Sequence, residues 1–363
     1  MTALVAGGGV AGAAVACLLG PAALLIEREA VAHDKICGEF ISIEAQGYLS
    51  QLGLDLQALG AAPIHAVRLV HRDCAAVAPL PFRGYGLSRR ALDAALLDLA
   101  AQRGARVLRG HAVRGIVPGG LDIAGQGRLP GRTVFLATGK HDLRGLRRQP
   151  ERPPEDLVGL KMYFRLRPDQ SDALAGHVEL LLLRGGYAGL QLIEDGVANL
   201  CLLIRRNRFT AAGSAWPGLQ DMLERDAPHL HRRLSGATAL LDRPLSIFRV
   251  PYGYVHRPAA SDQPGLFRLG DQAGVIPSFT GDGVSIALHT AFAAVAALPG
   301  GDAGAYHRAM QRDLSAQIAR ASLLLRAGRL APGLAVRAAR AWPGALRWIA
   351  QMTRVPAAAL IEA

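Results

Sequence analysis

Residues 3–27 read ALVAGGGVAGAAVACLLGPAALLIE and contain the pattern that decides the fold. An apolar run predicts a strand, and Gly7, Gly9 and Gly12 follow it with the spacing G-x-G-x-x-G, ahead of a helical stretch. In this pattern the first glycine permits a tight turn, the second admits a pyrophosphate and the third lets the helix pack on the strand. Glu27 follows Gly7 at about the 20-residue distance where an acid accepts a ribose hydroxyl. The stretch therefore predicts a βαβ unit that binds a dinucleotide.

The composition is that of a large globular chain. Its 363 residues are 50% hydrophobic, which is enough to bury a sizeable core. Neither a secretory signal nor an apolar stretch long enough to span a membrane is evident, so a cytoplasmic location is expected. The four cysteines lack metal-ligand spacing, so reduced thiols and no metal site are expected. They are Cys17, Cys37, Cys74 and Cys201.

The chain carries a formal net charge of +12, but the basic excess is uneven. Nine arginines lie between Arg308 and Arg354, where Asp313 is the only acid. Only 5% of residues are aromatic, and no basic segment is interleaved with aromatics for base stacking, so nucleic-acid binding is not expected. Of the 41 basic residues, only three are lysines: Lys35, Lys140 and Lys161.

The remaining segments predict an α/β fold in which a Rossmann-like domain carries an inserted antiparallel sheet and a helical C-terminal tail. Four β-rich runs between 158 and 205 are separated by Arg-Pro, Gly-Gly and Asp-Gly turn signals. The pattern after residue 300 is helical, with breaks at Pro332 and Pro343. The predicted domains are a discontinuous cofactor-binding domain (1–60, 85–150 and 260–300), a substrate domain (61–84 and 151–259) and the tail (301–363).

Four stretches resemble the FAD-dependent monooxygenases and reductases typified by para-hydroxybenzoate hydroxylase and geranylgeranyl reductase. They are the glycine motif with Glu27, DKICGEFIS at 34–42, LSRRALDAALLDLA at 87–100 and FRLGDQAGVIPSFTGDGVSIALHTA at 267–291. The second is similar to a K-x-C-G-E segment of the reductase branch, and the third to an R-x-x-L-D helix start. The fourth is similar to the signature G-D-A-A-G-x-x-x-P-x-x-G-x-G. The resemblance implies an FAD-binding domain of the glutathione-reductase type.

The resemblance also implies that the matching residues bind FAD. The two glycine loops and the lack of a residue marked for flavin attachment predict that this binding is non-covalent. The three motif glycines would seat the pyrophosphate, Glu27 the adenosine ribose and Asp271 the ribityl chain. Gly281 and Gly283 would let backbone N–H groups approach the flavin ring, because a side chain there would collide with it. Cys37 lies in the loop expected to cover the flavin. The expected cofactor-binding residues are Gly7, Gly9, Gly12, Glu27, Arg28, Cys37, Gly38, Arg89, Gly139, Asp271, Pro277, Gly281, Asp282 and Gly283.

The strand ending Ala137-Thr138-Gly139 departs from many hydroxylases of the family, which carry an Asp-Gly motif linked to FAD and NAD(P)H after this strand. No second G-x-G-x-x-G follows a strand, so a separate nicotinamide domain is not expected. NADH or NADPH is instead expected to visit the flavin transiently as the electron donor.

The resemblance favours monooxygenation of an aromatic or polyketide-like small molecule through a flavin hydroperoxide. The same-fold alternative is a C=C reductase of the geranylgeranyl reductase type. The alternative from another class is a membrane- or carrier-protein-binding module with a vestigial nucleotide fold. A flavin-dependent tryptophan halogenase is disfavoured, because the motif W-x-W-x-I-P is absent.

No catalytic side chain is assigned, since flavin chemistry is largely the cofactor's own. Three residues are candidates for a part in it: Glu39, Tyr187 and Gln191. For Glu39 a hydrogen bond that fixes the loop is the alternative to a proton relay. For the other two, the alternative is packing within the sheet.

Residues 319–354 alternate arginine with Leu, Ala, Trp and Val. This pattern is compatible with a basic amphipathic surface that contacts anionic lipid, with a site for an acidic carrier protein, or with helices packed on the core. A lipophilic or carrier-bound substrate is therefore expected, and a peripheral position at the membrane is the alternative to a wholly cytoplasmic one.

Overall fold

Two large sheets organise the fold in the computed structural model, which describes residues 2–151, 153–259 and 262–361. The strands are β1 (Ala3–Ala6), β2 (Ala23–Glu27), β3 (Phe40–Ile41), β4 (Ala62–His71), β5 (Cys74–Gly86), β6 (Arg106–Arg109), β7 (Val113–Val117), β8 (Gly120–Ile123), β9 (Gly127–Pro130), β10 (Val134–Leu136), β11 (Leu157–Arg165), β12 (Gly176–Leu183), β13 (Gly186–Leu192), β14 (Ala198–Arg205), β15 (Thr238–Ala239), β16 (Leu245–Phe248) and β17 (Leu266–Arg268). The helices are α1 (Val10–Leu19), α2 (Ile43–Gln51), α3 (Arg89–Gln102), α4 (Pro168–Leu174), α5 (Arg206–Ala211), α6 (Trp216–Asp226), α7 (Pro228–Leu234), α8 (Gly283–Ala296), α9 (Ala303–Leu330), α10 (Pro332–Ala341) and α11 (Gly344–Met352).

The first sheet is parallel, with the strand order β17-β10-β1-β2-β6. Helix α1 is buried along most of its length and contacts α3 and α8, which explains why its sequence is apolar rather than amphipathic. The meander β7-β8-β9 contributes Leu121 and Ile123 to a cluster with Leu4 and Leu24 of the sheet. The predicted Rossmann-like architecture is confirmed. The meander was not predicted, because its strands are short and contain glycines and charged residues.

The second sheet has the order β15-β11-β14-β13-β12-β4-β5-β3, and β16 also pairs with β11. Strands β11 to β14 pair antiparallel with one another, as predicted for 158–205. The sheet differs from the prediction where β12 pairs with β4 in parallel, as at Leu180 and Leu69. Such a pairing joins residues more than 100 positions apart, which a local pattern does not encode.

Strands β4 and β5 form a long hairpin. Strand β5 runs antiparallel to β4 from Cys74 to Gly86. Its sequence includes Pro79 and Pro81, which disfavour a strand in any pattern-based reading.

The C-terminal helices are part of the packed fold. Helix α9 ends at Leu330, Pro332 lies in the first turn of α10, and Pro343 directly precedes α11, so the predicted breaks are confirmed. Helices α10 and α11 pack on β4 and β5 of the second sheet. Within the described residues, no helix has the length and apolar character needed to cross a bilayer.

Candidate active site

A groove opens at the carboxyl ends of β1, β2 and β10, where a Rossmann-like sheet binds its ligand. Gly7 follows β1 with a φ of +107°, and a Cβ there would lie 2.5 Å from the Ala137 carbonyl oxygen. A Cβ on Gly12 would lie 1.9 Å from the Gly7 carbonyl oxygen. The turn therefore excludes a side chain at either glycine.

The remaining motif glycine faces two cations. Gly9 caps α1 in an extended conformation, and a Cβ there would lie 3.2 Å from Arg89 Nη2 and 3.7 Å from Lys35 Nζ. Asp93 accepts hydrogen bonds from Arg89 Nε at 2.9 Å and from Lys35 Nζ at 2.8 Å. Burial opposes the ionisation of Asp93, but the two cations lower its pKa below the usual range. The cations and the N–H groups at the start of α1 form a cradle suited to a pyrophosphate.

Glu27 ends β2 at the same groove. Its Oε2 accepts the Gly8 N–H at 2.6 Å, and its Oε1 accepts the Glu29 N–H at 2.9 Å. These bonds fix the carboxylate beside the half-exposed Arg28. Each carboxylate oxygen has a further lone pair, so the group can also accept ribose hydroxyls.

The loop between β17 and α8 contributes to the same groove through Asp271. Asp271 pairs with Lys140 at 3.2 Å; burial opposes the charge on Lys140, but Asp271 raises its pKa. Gly281 has a φ of +71°, and a Cβ there would lie 2.6 Å from the Phe40 ring. A Cβ on Gly283 would meet open space, so the N-terminus of α8 is accessible to a ligand.

Asp282 lies between these two glycines, but its carboxylate is engaged elsewhere. Its Oδ1 accepts hydrogen bonds from Arg354 Nη1 at 3.2 Å and from Ser42 Oγ at 3.3 Å. Burial raises the pKa of Asp282 to about 6, and Arg354 partly offsets that rise. The carboxylate therefore ties the C-terminal tail to the start of α8.

The raised pKa of Asp282 predicts a pH-dependent contribution to stability. The folded protein holds this proton more tightly than the unfolded chain, whose pKa lies near 3.8. The stabilising contribution is therefore complete below that value and is lost as the pH rises to about 6, at up to about 1.4 kcal/mol per pH unit. Urea unfolding across this range should show the wild type losing stability relative to Asp282→Asn. A difference that does not change with pH would contradict the prediction.

The loop 35–39 is fixed through Glu39. This residue adopts a left-handed conformation, with a φ of +59°. Its Oε1 accepts hydrogen bonds from the Arg89 N–H at 2.7 Å and the Tyr163 hydroxyl at 2.8 Å, and lies 2.5 Å from Lys161 Nζ. Burial raises the pKa of Glu39, and Lys161 opposes that rise most strongly. These contacts favour the loop-fixing interpretation of Glu39 over the proton relay.

The backbone of the same loop is held by side chains of the second sheet. Each of them donates a hydrogen bond to a loop carbonyl oxygen. The donors are Lys161 Nζ to Lys35 at 3.0 Å, Cys201 Sγ to Cys37 at 2.8 Å, Asn199 Nδ2 to Gly38 at 2.9 Å and Gln191 Nε2 to Glu39 at 2.9 Å. The loop is therefore a fixed partition. Lys35 lines the groove on one side of it, and Gly38 lines a second space on the other side.

An apolar cavity lies on the far side of this partition, between the second sheet and α11. Tyr187 contacts Phe279 edge-on, with ring centroids 6.0 Å apart. Burial raises the pKa of Tyr187 well above its usual range and that of Cys201 to about 12, so neither group ionises near neutrality. Other lining residues are Phe40, Val67, Leu180, Gln191, Leu346 and Ile349.

The predicted residues divide between the two spaces. Gly7, Gly9, Glu27, Arg28, Arg89, Gly139 and Asp271 line the groove, whereas Gly38, Gly281, Tyr187 and Gln191 line the cavity. Gly12 and Gly283 lie in the first turns of α1 and α8, whereas Cys37, Glu39, Pro277 and Asp282 lie in the loops that build these walls. The glycine positions that a Cβ would fill, the pyrophosphate cradle and the fixed Glu27 all suit FAD. The individual cofactor roles stay predictions.

Sequence reasoning missed Lys161, Asn199 and Arg354. The sequence did mark Lys161, because this residue, one of only three lysines, interrupts the apolar run 157–164 of β11. A lone charge in a buried strand indicates a buried partner. Nothing local marks Asn199 or Arg354, whose partners lie more than 70 residues away.

One further polar group lies away from the groove. His256, Asp262 and His307 hold their potential ligand atoms within 4.8 Å of one another. Burial lowers the pKa of both histidines, and the positive charge of Arg268 lowers them further. The nearby guanidinium disfavours a bound cation, and no metal role is assigned to the group.

The chain has the FAD-binding α/β fold of flavin-dependent oxidation and halogenation enzymes. It is similar to the flavin-dependent brominase Bmp2, with a TM-score of 0.77 and 18% identity over 97% of this chain and 92% of that chain. It is also similar to a geranylgeranyl bacteriochlorophyll reductase-like protein from Thermoplasma acidophilum, with a TM-score of 0.68 and 18% identity over 99% of this chain and 94% of that chain. For PqsL, a probable FAD-dependent monooxygenase from Pseudomonas aeruginosa, the TM-score is 0.70 and the identity 17%, over 91% of this chain and 96% of that chain. No protein-family model and no curated protein matches the chain. The resemblance inferred from the sequence is thereby confirmed at the level of the fold.

Proposed function

We propose that the protein is an FAD-dependent monooxygenase that oxygenates a lipophilic aromatic or polyketide-like molecule. The observation that carries the proposal is the fixed partition of residues 35–39, which separates a dinucleotide groove from an apolar cavity. The flavin ring of a bound FAD could lie beside this loop and face a substrate in the cavity, while the adenosine part of FAD stays in the groove. FAD, when bound and reduced by an electron donor such as NADH or NADPH, would supply the electrons with which dioxygen is activated.

The cavity supports an uncharged substrate. Its walls are mainly aliphatic and aromatic, and the Tyr187 hydroxyl and Cys201 thiol stay neutral for the reason given above. A charged substrate would be desolvated there without a partner, apart from Arg354, which is already paired with Asp282. Exclusion of water from such a space also protects a reactive oxidant from hydrolysis.

The first test is the cofactor itself. The purified protein should show the visible absorbance of oxidised flavin, and acid precipitation should release that colour into the supernatant. A colourless protein that does not take up added FAD would contradict the proposal and favour the vestigial binding module. Colour that stays in the fully denatured pellet would contradict non-covalent binding.

Halogenation is a second candidate, because Bmp2 and other similar structures are described as flavin-dependent halogenases. Turnover of simple phenols with NADH or NADPH and isotopically labelled dioxygen, with and without bromide, separates the reactions. Labelled oxygen in the product without halide supports monooxygenation, whereas product formed only with bromide supports halogenation. Substrate-dependent flavin oxidation without dioxygen would support the C=C reductase instead. NADH or NADPH as the transient electron donor belongs to the proposal and is tested by the same assay.

Ile349→Trp should fill the cavity and abolish most turnover while the flavin spectrum stays normal. Ile349 lines the cavity from α11, and the indole would occupy the space that a substrate needs. Gln351→Trp is the matched control, because this exposed residue does not line the cavity. Equal turnover by the two variants would show that the substrate binds elsewhere. Tyr187→Phe is a milder probe than any change at Gln191, which also holds the loop.

A further inference from the structure

Large apolar side chains are exposed to water at the end of α9, on α10 and α11, and between those two helices. Helix α10 buries Val336 and Ala339, which leaves Leu334 on the opposite face. The exposed fractions are 85% for Leu330, 68% for Leu334, 65% for Trp342 and 55% for Trp348. Single exposed apolar residues are ordinary, but four residues of this size within a stretch of 19 are typical of an interaction surface.

The same segment is strongly basic. Arg337, Arg340 and Arg347 are exposed, and among the described residues no carboxylate pairs with them. In the sequence, no Asp or Glu occurs between Asp313 and Glu362. Arginines and bulky apolar groups thus lie together in a stretch of chain that contains no acid. Its exposed residues are here called the tail surface, defined as Leu330, Leu334, Arg337, Arg340, Trp342, Arg347 and Trp348.

We propose that the tail surface docks on an anionic lipid bilayer. Tryptophan and leucine side chains insert at the boundary between headgroups and acyl chains, while arginines attract anionic headgroups. An acidic protein would satisfy the arginines but would leave the leucines and indoles without an apolar phase. None of the residues that define the tail surface is acidic. Glu155 and Asp156, which line a pocket with Leu330, are paired with Arg329 and Arg206, which reduces their repulsion of an anionic membrane.

Helix α11 connects this surface to the cavity. Its Leu346, Ile349 and Ala350 line the cavity, whereas Arg347 and Trp348 face outward. A helix that docks on lipid is therefore also a wall of the apolar cavity, which suits a substrate taken from the lipid phase. The docking itself is independent of the proposed function. Only the idea that the substrate enters from the lipid phase rests on the proposed function.

Sedimentation of the FAD-loaded protein with vesicles tests the docking without any turnover. We expect binding to phosphatidylcholine vesicles that contain phosphatidylglycerol, and at least about tenfold weaker binding to phosphatidylcholine alone. Arg337→Glu combined with Arg347→Glu should weaken binding to the anionic vesicles by about tenfold or more. Arg114→Glu combined with Arg132→Glu is the matched control, because it reverses two exposed arginines outside the tail surface, and it should leave binding unchanged.

Tryptophan fluorescence gives a second readout. Trp216 packs against Phe164 in the body of the protein, so a blue shift on vesicle binding should come from the other two tryptophans. The double variant Trp342→Gln, Trp348→Gln should lose both the shift and most of the binding. Wild type that ignores anionic vesicles, or variants that bind them as well as the wild type, would overturn the proposal. Capture of an acidic carrier protein without vesicle binding would overturn it as well.

Discussion

Lys161→Met should destabilise the protein by about 3–5 kcal/mol, because it leaves the buried Glu39 carboxylate without its cation. Both side chains are shielded from water, and the ammonium also holds the backbone of residue 35. The loop 35–39 should loosen at the same time, so the affinity for FAD should fall as well. Urea unfolding of the apoprotein and a titration with FAD measure the two effects separately.

The matched control is the double variant Lys161→Met, Glu39→Gln, in which no charge remains buried. A buried pair replaced by neutral groups is often tolerated, so the double variant should recover much of the stability lost by the single variant. A single variant as stable as the wild type would mean that Glu39 is held by Tyr163 and Arg89 alone.

Gly9→Ala should fold normally yet bind FAD about a hundredfold more weakly or worse. The backbone at Gly9 is extended, and the added methyl would contact only the ends of side chains, those of Arg89, Lys35 and Asp93. The same methyl would stand where the pyrophosphate approaches the start of α1. Loss of two charge-assisted hydrogen bonds, at roughly 1.5–3 kcal/mol each, corresponds to a fall of this size. Flavin fluorescence quenching on titration gives the affinity.

Two other glycine variants serve as controls for Gly9→Ala. Gly12→Ala should impair folding itself, because its methyl would overlap the Gly7 carbonyl oxygen in the backbone. Gly47→Ala, on the exposed side of α2 with open space around it, should change neither folding nor FAD affinity. Unaltered affinity in Gly9→Ala would show that the dinucleotide lies elsewhere.

The parts of the site that sequence could predict are those whose geometry is local. The spacing of Gly7, Gly9 and Gly12 specifies a turn through three backbone positions, and the structure shows why two of them exclude a side chain. The second glycine loop is similarly self-contained. Fold class followed from the order of such segments.

The parts that could not be predicted depend on register between distant strands. Glu39 meets Lys161 only because β11 pairs with β14 and β16 in one particular alignment. The parallel pairing of β12 with β4 is of the same kind. The bond from Arg354 to Asp282 depends instead on how the chain after α11 packs against the start of α8. A shift by one residue in β11 would turn Lys161 to the opposite face of the sheet, and a local pattern carries no information on that choice.

The positions of the three lysine side chains allow ligand binding in the groove to be measured by chemical modification. All three lysines lie at the groove or its partition, and Lys161 is shielded from solvent. An amine-acylating reagent would therefore modify Lys35 and Lys140 as its principal side-chain targets, both at the walls of the nucleotide groove. A bound dinucleotide would protect both lysines from the reagent. Peptide mass mapping of the acylated chain would therefore measure how much of the protein has the groove occupied, without any knowledge of the substrate.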